Sequence, residues 1–458
     1  MSRQTTRRAF LKASAAAAGV LILPDSRSAR CYAANDKPHL AHVGCGGRGA
    51  LLFDRFAGQT TVVALCDVND AKAAKRYRQF PKAPKFKDFR VMLDKAGKDI
   101  DAVVVATPDH AHAVISAAAI RAGKHVYTEK PLTRTVGESR VLRALASKHK
   151  VATSMGNQGT GAGPYRRALE LIQAGKIGRV KEVHVWCEGP GPRRLEPPTE
   201  TQKVPPYLSW DLWLGPARFR PFHIRWTGWH HWRDFGTGNL GNWASHSANL
   251  AFRALKVDTL WTADPKNKPI VKVQATPAAV STVAFPHYER ARWEIPARGD
   301  LPPIAFTWCR GHDPEGRKRI EDVLGRKLDW GDAGAKRWAD FAGCLLVGTE
   351  GTIYSTGHNA TFTFLEADKF KDVQRSRPET VDASRGHFTD WLIACKGGKP
   401  AWASFDYASK LNEFLQIANI ATQMPDKTLE YDPRAGRIVN HPAADALISP
   451  PYRKGWSL

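Results

Sequence analysis

Short apolar runs punctuate the first third of the chain at regular intervals. HLAHV (39–43), TTVVALCD (60–67), the DAVVVATP run from Asp101, KHVYTEK (124–130) and VATSMGNQ (151–158) are each four to eight residues of strand-forming type. Most lead through a glycine or polar turn into a helical pattern, as in ALLFDRFAG, HAHAVISAAAIRAG and GESRVLRALASKH. Strand alternating with helix predicts a parallel sheet covered on both faces, an α/β fold. Beyond residue 280 the rhythm changes. TVAFPHYERARWEIPARGDLPPIAFTWCRG alternates like open-sheet strands, GTEGTIYSTGHNATFTFLE reads as strand, turn, strand, and 404–424 reads as a helix capped by Ser404. The tail from about residue 432 is proline-spotted and reads as irregular.

The first 33 residues break this pattern. TRRAFLKASAAAAG carries the pair Arg7–Arg8 ahead of a short, weakly apolar run and small residues near Ala33. That is the layout of a twin-arginine export signal, which carries proteins already folded. The run is too short to span a bilayer. The expected division is therefore a signal over 1–33, a nucleotide-binding domain over 34–156 and a second domain over 157–458, with periplasmic or otherwise exported localisation.

Composition narrows the partners. With 43% apolar and 10% aromatic residues, a packed core is affordable by composition alone, and seven scattered cysteines are too sparse for a disulfide framework. No metal motif is visible. The net charge of +24 falls by five when the signal is removed. Without a nucleic-acid motif, that balance suits an anionic carbohydrate or an acidic surface rather than nucleic acid.

The turn after the first strand reads Gly44-Cys45-Gly46-Gly47-Arg48-Gly49, and the second strand ends at Asp67. Strand, G-x-G-x-x-G, helix, strand and acid together form the dinucleotide fingerprint of a Rossmann domain. Gly44 permits the turn, Gly46 the approach of a pyrophosphate, and Gly49 close packing of helix on strand. Asp67 would bond ribose hydroxyls and repel a 2′-phosphate, favouring NAD over NADP, while Arg48 weakens that preference. Two further turns, Thr107-Pro108-Asp109-His110-Ala111-His112 and Glu129-Lys130-Pro131, fall at the carboxyl ends of strands, where ligands bind in such sheets. Asn157 and Gln158 fall at the mouth of the last strand.

VGCGGRG, ATPDHAHA, AGKHVYTEKPL and GTGNLGNWASH, in this order and spacing, resemble the glucose–fructose oxidoreductase, inositol dehydrogenase and MocA-type NAD(P)-dependent oxidoreductases. The resemblance covers about 200 residues. It implies a Rossmann domain followed by an α/β domain on a large open mixed sheet, whose face commonly makes the interface of a homo-oligomer, a dimer or tetramer. It also implies that Lys130 contacts the nicotinamide ribose and the reacting hydroxyl, and that Thr107, Pro108 and His112 line the nicotinamide side.

Asn242 and His246, four apart in a helical pattern, would share one face toward a substrate. The family's dehydrogenases carry an aspartate at the position of Asn242. Here an amide replaces it, which puts simple alcohol dehydrogenation in doubt. PPYLSWDLWLGPARFRPFHIRWTGWHHWRDFG (205–236) packs five tryptophans, three histidines and four arginines. Trp229, His230, His231 and Arg233 are its candidate substrate contacts, and a tryptophan-rich core loop is the equal alternative.

An exported NAD protein meets no nicotinamide pool, so the cofactor would be retained through export and restored in each cycle. Three functions follow as expectations. The first is hydride transfer on a carbohydrate with a recycled cofactor. The second is an NAD-dependent glycoside hydrolase that oxidises, eliminates and re-reduces. The third is a non-catalytic carbohydrate-binding protein on the same scaffold.

Overall fold

The computed structural model describes residues 37–188, 196–264, 266, 269–310, 314–325, 327 and 341–458. The export signal expected at 1–33 lies outside them. Among the described residues no helix is long and apolar enough to cross a membrane.

The alternating pattern of the first third folds as expected. Strands β1 (His39–Val43), β2 (Thr61–Cys66), β3 (Lys85–Phe86), β4 (Ala102–Val105), β5 (His125–Thr128) and β6 (Thr153–Met155) form one parallel sheet in the order β3-β2-β1-β4-β5-β6. The order reverses beside β1, which places a crevice between the carboxyl ends of β1 and β4. Helices α1 (Gly47–Phe56), α2 (Asp70–Gln79), α3 (Phe89–Ala96), α4 (Asp109–Arg121) and α5 (Val136–His149) make the crossovers. Thr135 and Glu138 form a reciprocal capping box that starts α5 sharply.

One helix of this layer comes from far down the chain. Trp391, Leu392 and Cys395 of α6 (His387–Cys395) pack with Leu40, Leu52, Val104 and Tyr127. The domain division at residue 156 does not show this, because α6 joins the first sheet only through tertiary packing.

The second sheet is mixed, with nine strands among the described residues. Its order is β13-β12-β11-β7-β10-β9-β8-β14-β15, with β7 (Val180–Cys187) and β10 (Ile304–Arg310) parallel and the other pairs antiparallel. The remaining strands are β8 (Val271–Pro277), β9 (Glu289–Ile295), β11 (Ala342–Gly348), β12 (Thr352–Thr356), β13 (Phe362–Phe364), β14 (Leu429–Asp432) and β15 (Arg437–Ile438). The tail read as irregular thus supplies an edge hairpin, β14–β15, followed by a short helix, Pro442–Asp445. Its short strands are isolated by turn residues and carry too few positions to show alternation.

Helix α7 (Phe405–Ala421) lies between the two sheets and is buried along nearly its whole length. Phe414 stacks on Trp293 of β9 at 4.8 Å. Glu413 is fully buried and is reached by Arg140 and Arg143 of α5 and by Trp261 and Tyr431 of the second domain. A buried carboxylate persists when several donors compensate it, and these donors tie the two domains together.

His42 gives the first domain a built-in acid sensitivity. Its ring stacks on Phe53 at 3.9 Å and neither ring nitrogen has a partner. Burial, then the charge of Arg76, push its pKa down to about 3. The folded state holds the ring neutral while the unfolded chain takes up a proton below about pH 6.5, so stability falls as pH drops from there toward 3. His42→Leu is expected to remove about 2–3 kcal/mol of the stability lost between pH 7 and pH 4, read by urea unfolding at the two pH values.

Candidate active site

The crevice begins at the glycine turn. Gly44 has a φ of +88°, and a Cβ there would stand 2.5 Å from the Ala106 carbonyl oxygen. The first turn of α1 has no side-chain cap and no acidic residue, so its amides are available to an anion. Asp67, just past the end of β2, accepts the Cys45 and Asn69 amides at 2.8 Å each, one on each carboxylate oxygen. Burial raises its pKa while those two bonds oppose the shift. The cavity encloses about 1420 Å³, counting its open mouth, and Thr107 and Pro108 line it. Uncapped amides, glycines that leave room and an acid at the end of β2 fit a dinucleotide.

A segment of the second domain roofs this groove. The Tyr207 carbonyl accepts the Asp70 amide at 2.9 Å, and the Ser209 amide donates to the Val68 carbonyl at 2.9 Å. Tyr207, Leu208, Trp213 and Trp229 thereby face the glycine turn across the cavity. Arg453 of the tail pins the roof by donating to Asp211 and to the Gly215 carbonyl. Trp456, beneath the Arg90 guanidinium at 4.6 Å, closes the far end.

Behind the groove wall, next to the Glu129 that Arg48 holds, stands Lys130. Its ammonium donates to the Asn242 backbone carbonyl at 2.9 Å and to the Asn242 side-chain oxygen. Burial lowers its pKa, and Glu129 and Asp109 oppose that shift. Arg48 pairs with Glu129 at 3.0 Å, so its guanidinium serves this inner cluster. Gln158 donates to Glu129 and to the Tyr127 hydroxyl.

His246 is buried, and its Nδ1 has no partner. Burial, then the charge of Lys130, hold it well below its ordinary pKa, so it is a neutral imidazole. The His358 ring lies 4.5 Å from it. The sequence pattern put Asn242 and His246 on one helix. The structure instead breaks at Trp243 into Gly238–Asn242 and Ala244–Ser247. The Asn242 carbonyl is taken by Lys130 and by the Ser245 hydroxyl rather than by the helix ladder.

Other predicted contacts sit elsewhere. His112 is buried below the turn, with its ring between the Pro131 and Thr107 carbonyls at 2.8 and 2.9 Å. It shapes the nicotinamide-side loops rather than lining the groove. Asn157 is buried and donates to the Ser245 carbonyl at 2.8 Å, joining β6 to the His246 segment. Trp229 lines the groove with the His230 ring against it at 3.4 Å. His231 is half-buried and feels Arg310 rather than Lys130.

Arg233 is not a substrate contact. Its guanidinium donates to the Ser281 carbonyl, the Asn419 carbonyl and the Thr422 hydroxyl, and lies over Phe285 at 4.7 Å. Each of its three nitrogens donates to protein. Arg233→Ala is expected to cost about 1–3 kcal/mol in urea unfolding, through acceptors left without donors, with ligand affinity of the folded fraction unchanged.

Sequence reasoning passed over Asp109, His358 and His387. Asp109 stands inside the quoted TPDHAH turn, and its acid at the start of a helix was an available signal. His358 comes from a remote turn and His387 from the first residue of α6, and neither stands in a motif. His387 is buried against the Tyr127 hydroxyl and Thr160 at 3.3 Å each.

The parallel sheet and its glycine turn define a dinucleotide-binding scaffold. Residues 39–157 match the family model described as "Oxidoreductase family, NAD-binding Rossmann fold", of the glucose–fructose oxidoreductase, inositol dehydrogenase and MocA type. Over this domain the chain is similar to that family. It is 37% identical over 123 residues to levoglucosan dehydrogenase of Pseudarthrobacter phenanthrenivorans, covering 25% of this chain and 29% of that protein. It is 32% identical over 165 residues to a glycosyl hydrolase family 109 protein of Solibacter usitatus, covering 30% and 35%. The chain thus spans about a third of the length of these curated relatives. The whole fold is similar to that of aldose-aldose oxidoreductase from Caulobacter crescentus, with a TM-score of 0.54 and 16% identity over 86% of this chain and all of that one.

Proposed function

We propose that this protein acts on a carbohydrate by hydride transfer, with an NAD that it retains between cycles. The observation that carries this reading is a cluster of Lys130, Asn242 and neutral His246, set beside Glu129, which Arg48 of the wall of a groove built for a dinucleotide holds. When bound, the nicotinamide would accept a hydride from a sugar carbon and return it.

The chain's own groups do the rest. Gly44, Gly46, Gly47 and Gly49 leave room for the pyrophosphate beside the α1 amides, and Asp67 holds ribose hydroxyls. Thr107 and Pro108 form the wall next to the inner cluster. Lys130, with its ammonium disfavoured by burial, holds the reacting hydroxyl and takes its proton. Asn242 orients Lys130 as a neutral acceptor, so the carboxylate character absent from position 242 is not needed to hold the amine. Trp229 and His230 offer an aromatic surface to a sugar ring.

Two features support retention. The roof from Tyr207 to Trp213 is bonded to the turn beyond Asp67, and Arg453 locks it from the tail. The Arg7–Arg8 signal is the reason to propose an exported protein that folds around its cofactor first.

A second reading, glycoside cleavage through transient oxidation, is favoured by His246, whose free Nδ1 is a base for a carbon acid. Its likeness to the Solibacter usitatus protein points the same way.

Purified mature protein, mixed with pairs of aldoses or with aryl glycosides and no added nucleotide, tests the proposal. Many turnovers per protein molecule are expected. Turnover that requires added NAD in amounts matching the product would refute retention, and no conversion of any sugar would refute the catalytic reading.

A further inference from the structure

Asp109 opens α4 and is 1% exposed. One carboxylate oxygen accepts from the Thr237 hydroxyl at 2.7 Å, and the other has no hydrogen-bond partner. An ionised carboxyl so deeply buried, with one side-chain donor, needs a cation in its field to remain charged.

Lys130 is the cation whose charge reaches it, with no direct ion pair between the two side chains. His112 lies three residues beyond Asp109, on the same side of α4, and bonds the Pro131 carbonyl at 2.8 Å. That bond fixes the loop carrying Lys130 against the helix face that presents Asp109. The same short helix, Gly238–Asn242, also receives both groups from its two ends. Thr237, the donor to Asp109, precedes its first residue and accepts the Gly241 amide at 3.1 Å, while Asn242 at its last residue receives Lys130.

The other charged groups around the pair are accounted for. Glu129 also faces Lys130 but is held by Arg48 at 3.0 Å. Cys187 of β7 faces Lys130, and His230, His246 and His358 lie within its field. Glu138 of α5 faces Asp109 and opposes its charge. Burial pushes the Asp109 carboxyl up to about 7, with the Thr237 bond and Lys130 pulling it back.

We propose that Asp109 is the counter-carboxylate of Lys130, a positioning residue that favours the ammonium form of Lys130 and so sets the pH at which that amine is free to take a proton. The consequence for turnover rests on the function proposed above, but the charge pairing does not.

The test reads Lys130 directly. The protein as purified is reductively methylated with 13C-formaldehyde, and the Lys130 resonance is assigned by its absence from Lys130→Arg. Its chemical shift is then followed against pH. Removing the negative charge with Asp109→Asn should lower the Lys130 midpoint by about 1–3 pH units. Thr237→Val removes the side-chain donor to the carboxylate, favours its protonated form and should lower the midpoint by less. A midpoint unchanged in folded Asp109→Asn overturns the proposal. If that variant does not fold, an unchanged midpoint in Thr237→Val overturns it. A protein that transfers no hydride would still give these titrations, so failure of the proposed function is told apart from failure of the pairing.

Discussion

Lys130→Ala should lower turnover by about 10²–10⁴-fold, the range of a positioned acid–base group, while leaving the circular dichroism of the folded protein unchanged. The amine has its ammonium disfavoured by burial and its position set by both oxygens of Asn242, beside the Glu129 that Arg48 of the groove wall holds. The alanine variant keeps the groove walls, so nucleotide content is expected to survive the loss of rate. Lys130→Arg should not rescue activity, because a guanidinium stays protonated and cannot take the hydroxyl proton. Steady-state rates with the best sugar, measured beside nucleotide content, separate a lost proton acceptor from a lost cofactor.

Gly49→Ala is expected to empty the groove. A Cβ at residue 49 would stand 2.0 Å from the Gly44 carbonyl oxygen and 3.2 Å from the Ala106 Cβ. The first obstacle is backbone, so α1 must move away from β1 and take its free amides with it. Overpacking of this kind costs about 1–3 kcal/mol, and the displaced turn no longer matches a pyrophosphate. Gly47→Ala is the contrasting case, since a Cβ there meets nothing within 4 Å and only the φ of +49° resists it. Nucleotide per protein after purification should fall sharply for Gly49→Ala and modestly for Gly47→Ala.

The first sheet was legible because its information is local. Each apolar run is followed by its own turn and helix, and the fingerprint from Gly44 to Asp67 is one continuous stretch. The second sheet was legible only as strands. β7 pairs with β10 and β11, and β8 with β14, across more than a hundred residues, so no local pattern states their order.

The same distinction explains the site. Lys130 stands in a specific short motif, whereas the role of Arg233 is decided by Asn419 and Thr422 on and just beyond a helix 186 and 189 residues away. From WHHWR alone the arginine could equally face a sugar or the core. Asp109 was inside a quoted motif yet went unread as a charge partner, because its burial and its bond to Thr237 exist only in the fold. The break at Trp243 was hidden for a related reason, since the ammonium that captures the Asn242 carbonyl comes from another domain.

The central claim is that the protein keeps a nicotinamide nucleotide beneath the roof formed by Tyr207 to Trp213 and pinned by Arg453. The most direct measurement denatures the purified mature protein and identifies the released nucleotide by mass spectrometry. Near-stoichiometric NAD or NADH, retained through prolonged dialysis, is the predicted result. A protein that releases no nucleotide and binds no added NAD would contradict the account.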